Sequence, residues 1–220
     1  MFTYVCIINN IKYWNLNNMS LIYVDDGEKI DLSKPEWQLN NTSSLFIGDF
    51  FARELENLPS NLRNLTLGGK FNQKLENLPN SLQSLILGDC FNQKLENLPS
   101  SLQNLTLGNS FNQKLENLPS SLRKLILGRG FNQKLENLPN SLQNLTLGYC
   151  FNQKLDQCIA LPKLRNLTID INYNYELPPL FNTTIIFVFS VWVVKKLYTN
   201  YENYTINKWK TCFYESINIK

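Results

Sequence analysis

The block Phe71-Asn-Gln-Lys-Leu-Glu-Asn-Leu-Pro-Asn-Ser-Leu-Gln-Ser-Leu-Ile-Leu-Gly-Asp-Cys90 recurs with a strict 20-residue period, starting again at Phe91, Phe111 and Phe131. Self-similarity at that period is the mark of a solenoid, in which each unit contacts only its neighbours. The pattern runs past the perfect copies. Phe51 to Lys70 is a copy with a degenerate start, and Leu45, Ile47 and Gly48 fall in phase with Leu65, Leu67 and Gly68. After Phe151 the register slips: Leu161-Pro-Lys-Leu164-Arg-Asn-Leu167-Thr-Ile169 repeats the pattern about two residues late. Leu177-Pro178 followed by Ile185, Ile186 and Phe187 reads as one more, eroded coil, so the repeat predicts roughly six to seven coils between residues 40 and 190.

Within one copy the apolar residues are Phe71, Leu75, Leu78, Leu82, Leu85 and Leu87, and Leu85-Ile86-Leu87 alternates with period two. That predicts a short strand followed by a turn at Gly88. The proline column Pro59, Pro79, Pro99, Pro119 and Pro139 cannot donate a ladder hydrogen bond, which places it in the return segment. One strand per coil then stacks in parallel on the next. A single coil buries too little apolar surface to offset the entropy of ordering it, so stacked neighbours and end caps are required. The column Asn72, Asn92, Asn112, Asn132, Asn152 follows the aromatic residue of each coil. It reads either as an internal amide ladder that satisfies backbone groups at the turn or as a polar stripe facing solvent.

Phe-Asn at the coil start, Leu-Pro-x-Ser-Leu in the middle and Leu-Thr/Ile-Leu-Gly at the strand resemble the FNIP repeat, a leucine-rich-repeat relative of social amoebae and of giant DNA viruses of amoebae. The resemblance covers residues 45 to 170, with one departure: the Pro that follows Phe-Asn-x in that family is Lys at Lys74, Lys94, Lys114 and Lys134. It implies an α/β-type repeat fold, mostly β: a right-handed, leucine-rich-repeat-like solenoid of 20-residue coils with one short parallel strand per coil. Residues 1–44 then form a β-rich N-terminal cap, and residues 171–220 an eroded last coil with a C-terminal cap or tail. Proteins of this kind often carry an F-box and resemble substrate receptors of ubiquitin ligases. Residues 1–44 show no Leu-Pro-x-Glu-Leu-Leu helix start and no 3.6-residue apolar period, so the F-box is not carried over.

Chemistry-bearing motifs are few. The chain has no histidine, and it shows no Gly-x-Gly-x-x-Gly, Walker loop or Gly-x-Ser-x-Gly. The columns Glu76, Glu96, Glu116, Glu136 and Lys74, Lys94, Lys114, Lys134 run side by side, and predict a solvated, salt-laced convex face rather than paired catalytic acids. The five cysteines lack Cys-x-x-Cys spacing, and Cys90 and Cys150, three coils apart at about 4.8 Å per strand, lie beyond disulfide reach. Free thiols point to a reducing compartment, where sequons such as Asn64-Leu-Thr66 stay bare. The ten-residue apolar run Ile185–Val194 is too short to span a membrane and reads as one or two cap strands, and no signal peptide precedes it. Residues 1–194 carry 16 basic and 16 acidic side chains, so the net charge of +3 belongs to the tail after Val194. Aromatic residues interleave with that tail's lysines, but its basic density is low for nucleic acid and fits a packed cap better.

Copies that are otherwise near-identical differ beside the inward leucines of the strand. These positions are Arg63, Asn64, Thr66; Gln83, Ser84, Ile86, Asp89; Gln103, Asn104, Thr106, Asn109; Arg123, Lys124, Ile126, Arg129; and Gln143, Asn144, Thr146, Tyr149. In a leucine-rich-repeat-like coil they face the concave side, the candidate surface for a protein partner. Recent duplication of a 40-residue pair followed by drift explains the same variation, since Thr66, Ile86, Thr106, Ile126 and Thr146 alternate. The expected function is a monomeric, non-enzymatic protein-interaction scaffold in the cytoplasm, with no cofactor, metal, small-molecule substrate or membrane partner. A ubiquitin-ligase substrate receptor with a divergent adaptor segment, and a recently expanded paralogue with no dedicated partner, are the alternatives.

Overall fold

The computed structural model describes residues 4–8, 11–16, 19–24, 30–31, 42–52, 54–155, 161–170, 172–177, 183–189 and 192–196. Three strands open the chain: β1 (Tyr4–Ile8), β2 (Ile11–Leu16) and β3 (Met19–Val24). Two two-residue strands, β4 (Ile30–Asp31) and β6 (Leu55–Glu56), pair with each other in parallel on the return side. The repeat strands are β5 (Ser44–Ile47), β7 (Asn64–Leu67), β8 (Ser84–Leu87), β9 (Asn104–Leu107), β10 (Lys124–Leu127), β11 (Asn144–Thr146) and β12 (Asn166–Asp170). They are followed by β13 (Thr184–Phe189) and β14 (Trp192–Lys196). The described residues contain no helix.

All but β4 and β6 form one sheet in the order β1-β2-β3-β5-β7-β8-β9-β10-β11-β12-β13-β14. Every neighbouring pair from β3 to β13 is parallel, as required when each coil returns the chain to the same edge. The sheet ends differently: β1, β2 and β3 run antiparallel, and β14 folds back antiparallel on β13. Register follows the repeat. Leu65 pairs with Leu85, Leu85 with Leu105 and Leu105 with Leu125. Beyond β11 the two-residue slip read from the sequence appears as Leu145 opposite Leu167, and the eroded coil is real, with Ile185 opposite Leu167.

Alternation decides which side is core. In β7 to β10 the leucines are buried and their chain neighbours face outward. The core is completed by Leu75, Leu82 and their equivalents, while Leu58, Leu78, Leu98, Leu118 and Leu138 pack against it half-buried. Phe51, Phe71, Phe91, Phe111, Phe131 and Phe151 form a continuous stack that Tyr173 extends, with ring centroids 6.0 to 6.2 Å apart. Tyr173 closes the column with a polar contact: its hydroxyl donates to the Gln153 carbonyl and accepts from the Leu155 N–H, both at 3.0 Å.

Two turns fix the coil's shape. The carbonyl of each proline from Pro59 to Pro139 accepts from the N–H three residues on, as in Leu82 to Pro79 at 3.0 Å, so proline keeps a turn while donating nothing. Asn57, Asn77, Asn97, Asn117 and Asn137 adopt φ of 54–57°, the left-handed region that Asn tolerates best after Gly. At the other corner the glycine column is required by proximity, not by φ. A Cβ on Gly108 would fall 2.3 Å from the Gly88 carbonyl oxygen, and one on Gly128 would fall 2.3 Å from that of Gly108.

Candidate functional site

The outward residues of the strands stand in straight columns because the register is in phase. Ser44, Asn64, Ser84, Asn104, Lys124 and Asn144 form one; Phe46, Thr66, Ile86, Thr106, Ile126 and Thr146 form the next. Arg63, Gln83, Gln103, Arg123 and Gln143 lie just before the strands. Each of these N–H groups bonds to the coil before, as in Arg123 to the Gln103 carbonyl at 2.8 Å. Asp89, Asn109, Arg129 and Tyr149 occupy the turn just after them. The nineteen candidate residues therefore share one continuous sheet face and the segments that adjoin it.

Not all of them are equally available. Asn64 donates to Ser44 Oγ at 2.8 Å, Asp89 Oδ1 accepts the Asn109 N–H at 3.2 Å, and Asn109 Oδ1 accepts the Arg129 N–H at 3.0 Å. These side chains hold one coil to the next. Thr66, Ser84, Asn104, Thr106, Ile126, Asn144 and Thr146 are half-buried by their neighbours in the columns. The exposed remainder is Arg63, Gln83, Ile86 at 40%, Arg123, Lys124, Arg129 and Tyr149 at 50%. Arg129 and Tyr149 act as a pair, with the guanidinium carbon 5.1 Å from the ring centroid. That stack holds the guanidinium over an aromatic plate while its edge stays free to donate. Sequence reasoning singled out both residues but not their contact, which needs the register to bring adjacent coils together.

Coil 111–130 concentrates charge. Arg123 and Lys124 stand at the start of β10 and Arg129 just past its end, all exposed. Among the described residues of the sheet face, the nearest exposed carboxylate toward the N-terminus is Asp89, two coils away, while Asp170 toward the C-terminus is buried and bonds Asn172. The return side contrasts with this. Its lysine and glutamate columns are exposed, as expected, but the two are not laced together: among the described residues no ion pair joins them. A groove there, lined by Lys74, Glu76, Asn77, Gln93, Lys94 and Glu96 among others, is polar and merely repeats the coil.

The asparagine column combines both readings drawn from the sequence. Asn72, Asn92, Asn112 and Asn132 each accept, through Oδ1, the backbone N–H of the next asparagine at 2.8–2.9 Å, and Gln93, Gln113, Gln133 and Gln153 join them. It is a ladder, but it is exposed or half-buried, and it satisfies the following coil instead of its own turn. The serines of Leu-Pro-x-Ser-Leu do the same from the other side: Ser101, Ser121 and Ser141 donate to the carbonyls of Leu82, Leu102 and Leu122 at 2.6 Å.

A family model, the FNIP repeat, matches residues 51–90, 91–130 and 131–170, each match spanning two coils. The chain belongs to the FNIP-repeat family. Among solved structures, the crystal structure of CroV588, a giant-virus protein described as a novel circular LRR protein, is similar to it with a TM-score of 0.60 and 38% identity. That likeness covers 66% of this chain but 23% of CroV588, so the FNIP-repeat chain spans under a quarter of its length. No curated protein matches the chain.

Cys90 and Cys150 carry free, exposed thiols. No group of His, Cys, Asp or Glu among the described residues is placed to hold a metal ion, and no helix among them is long and apolar enough to cross a membrane. The aromatic and lysine residues of the tail beyond Lys196 lie outside the described residues, as do Cys158 and Cys212.

Proposed function

We propose that this FNIP-repeat solenoid is a non-enzymatic interaction scaffold that captures an acidic protein partner on its sheet face. The observation that carries the reading is the exposed cationic coil of Arg123, Lys124 and Arg129, set on a face with no exposed carboxylate nearer than Asp89 toward the N-terminus. Opposite columns of lysine and glutamate keep the return face neutral at short range, so the field that a partner meets is directional. Arginine is suited to the task because its planar fork meets a carboxylate through two hydrogen bonds. Arg129, stacked on Tyr149, is already ordered and loses less freedom on binding. The free thiols of Cys90 and Cys150 fit a reducing compartment such as the cytoplasm.

Affinity purification with the parent chain and with an Arg123→Ser, Lys124→Ser, Arg129→Ser variant tests the reading. The three side chains are exposed and lie outside the leucine core, so the variant folds. Loss of an acidic interactor by the variant, recovered from the parent at low salt, is the expected result. An unchanged set of interactors would overturn it.

A further inference from the structure

We infer that the turn ridge past the strands is a self-docking surface, on which two copies of this chain lie side by side and antiparallel, and that two Cys90–Cys150 disulfides lock the pair when its thiols are oxidised. The inference does not rest on the acidic-partner reading above, and the monomer expected from the sequence is then the reduced form.

Each turn offers two outward positions. Asp49, Gly69, Asp89, Asn109, Arg129 and Tyr149 fill the first; Phe50, Lys70, Cys90, Ser110, Gly130 and Cys150 fill the second. One backbone hydrogen bond per coil ties the second positions into a ladder: Cys90 N–H to the Gly69 carbonyl, Ser110 to Asp89, Gly130 to Asn109 and Cys150 to Arg129, at 2.8–2.9 Å. The ridge therefore advances by about one strand spacing of 4.8 Å per coil, and Cys90 and Cys150 stand roughly 14 Å apart, too far to bridge within one chain.

Three features share the midpoint between these cysteines. Both thiols are free and exposed, at equal distances from it. The ridge is lowest there, with only Ser110 and Gly130 in the second column. Charge changes sign across the same point: Asp89 stands beside Cys90, while Arg129 leans toward Tyr149, beside Cys150, with its guanidinium carbon 5.1 Å from the ring centroid. On Asp89, Oδ1 accepts the Asn109 N–H at 3.2 Å, and Oδ2 has no hydrogen bond among the described residues.

A two-fold axis normal to the sheet, set just outside the ridge and midway between Ser110 and Gly130, uses all three. Rotation about it exchanges Cys90 with Cys150, Ser110 with Gly130 and Asp89 with Tyr149. Each Cys90 then faces Cys150 of the second copy, and each Asp89 carboxylate meets the guanidinium stacked on Tyr149 of the second copy, so that both contacts occur twice. Disulfide geometry brings the Cα atoms to about 5.5–6 Å, and only residues as short as serine and glycine fit between ridges at that separation. Lys70, the next residue along, leans away toward the coil before it, its ammonium 4.7 Å from the Phe50 centroid. A parallel pair would instead set Asp89 against Asp89 and Arg129 against Arg129, like charge against like.

The bridge forms by exchange with a small-molecule disulfide such as oxidised glutathione. The Cys90 thiolate attacks one glutathione sulfur and releases the other as a thiol. The Cys150 thiolate of the second copy then attacks the Cys90 sulfur and expels the second glutathione. Each bridge moves two electrons from protein sulfur to glutathione, and the two protein thiol protons end on the two glutathione thiols. The rotation keeps both sheet faces on one side of the pair; it occupies Arg129 and leaves Arg123 and Lys124, at the start of β10, free.

The full chain, treated with oxidised glutathione and resolved without reductant, tests this beside Cys90→Ser and Cys150→Ser variants, alone and mixed; both side chains are exposed, so the variants fold. The parent is expected to give a dimer whose linked peptides join Cys90 to Cys150 by mass spectrometry. Neither variant alone gives that link, and the mixture restores it, since one copy supplies Cys150 and the other Cys90. Asp89→Asn keeps an acceptor for the Asn109 N–H and removes the charge, so it is expected to slow the link at least about threefold at low salt, a difference that closes as salt rises. Cys90–Cys90 or Cys150–Cys150 links, or an Asp89→Asn rate equal to the parent's, would overturn the antiparallel docking. Glutathionylated monomer with no dimer would overturn self-association altogether. No acidic partner is present, so each outcome bears on this inference alone.

Discussion

At the scale of single residues, position within the coil decides what a side chain is worth. Leu105 is wholly buried between two coils, and Leu105→Ala is expected to cost about 2–5 kcal/mol through the cavity it leaves. Lys114→Ala on the exposed return side should change stability by no more than roughly 0.5 kcal/mol. Chemical denaturation of the two variants beside the parent checks this, and equal midpoints would reverse the assignment of faces. Gly108 makes a sharper case, since its role is invisible in its dihedral angles: no glycine among the described residues has positive φ. A methyl group there would sit 2.3 Å from the Gly88 oxygen, and forcing adjacent coils apart is expected to cost about 1–3 kcal/mol in Gly108→Ala. A thermal midpoint unchanged from the parent would show that the corner yields freely. The sequence placed Gly at a turn but supplied no reason for it beyond turn chemistry, because the clash is with a residue one coil away.

At the scale of the element, the coil is held to its neighbours by three columns of different chemistry, and only part of this could be read beforehand. The strand was legible because leucine alternation has a physical period, and the return was legible because proline cannot donate. The asparagine column was recognised, yet its partner was not. Oδ1 of Asn112 serves Asn132 and Gln133 in the next coil, and nothing local in Phe-Asn-Gln-Lys distinguishes that from bonding within its own turn. Left-handed Asn57 and its equivalents were missed, although Asn in Glu-Asn-Leu-Pro, ahead of a proline and in place of a glycine, was the available signal. The ladder makes a specific demand, an acceptor and not a donor at position 112. Asn112→Asp keeps an acceptor oxygen where Oδ1 stands and should remain near the parent at neutral pH, whereas Asn112→Ala should lose about 1 kcal/mol. Urea unfolding distinguishes the two, and matching losses would mean that the amide's donor hydrogens matter instead.

At the scale of the whole molecule, stacking turns small differences between copies into a surface. Register puts Arg123, Lys124 and Arg129 on the same side as Ile86 and Tyr149, and turns the lysine and glutamate columns away from them. The repeat made this face legible, because alternation sorts outward from inward residues without any structure. The Arg129–Tyr149 stack and the ties that occupy Asp89 and Asn109 were not legible, since each depends on the distance between coils. Charge alone could attract a partner from either side, so the most direct measurement compares two variants with the same loss of positive charge. Arg123→Ser, Lys124→Ser, Arg129→Ser removes three cations from the sheet face, and Lys94→Ser, Lys114→Ser, Lys134→Ser removes three from the return face. Capture of the principal partner, followed as salt is raised, is expected to fall at least tenfold for the sheet-face variant and to stay near the parent for the other. Equal losses, or a loss confined to the return-face variant, would contradict recognition on the sheet.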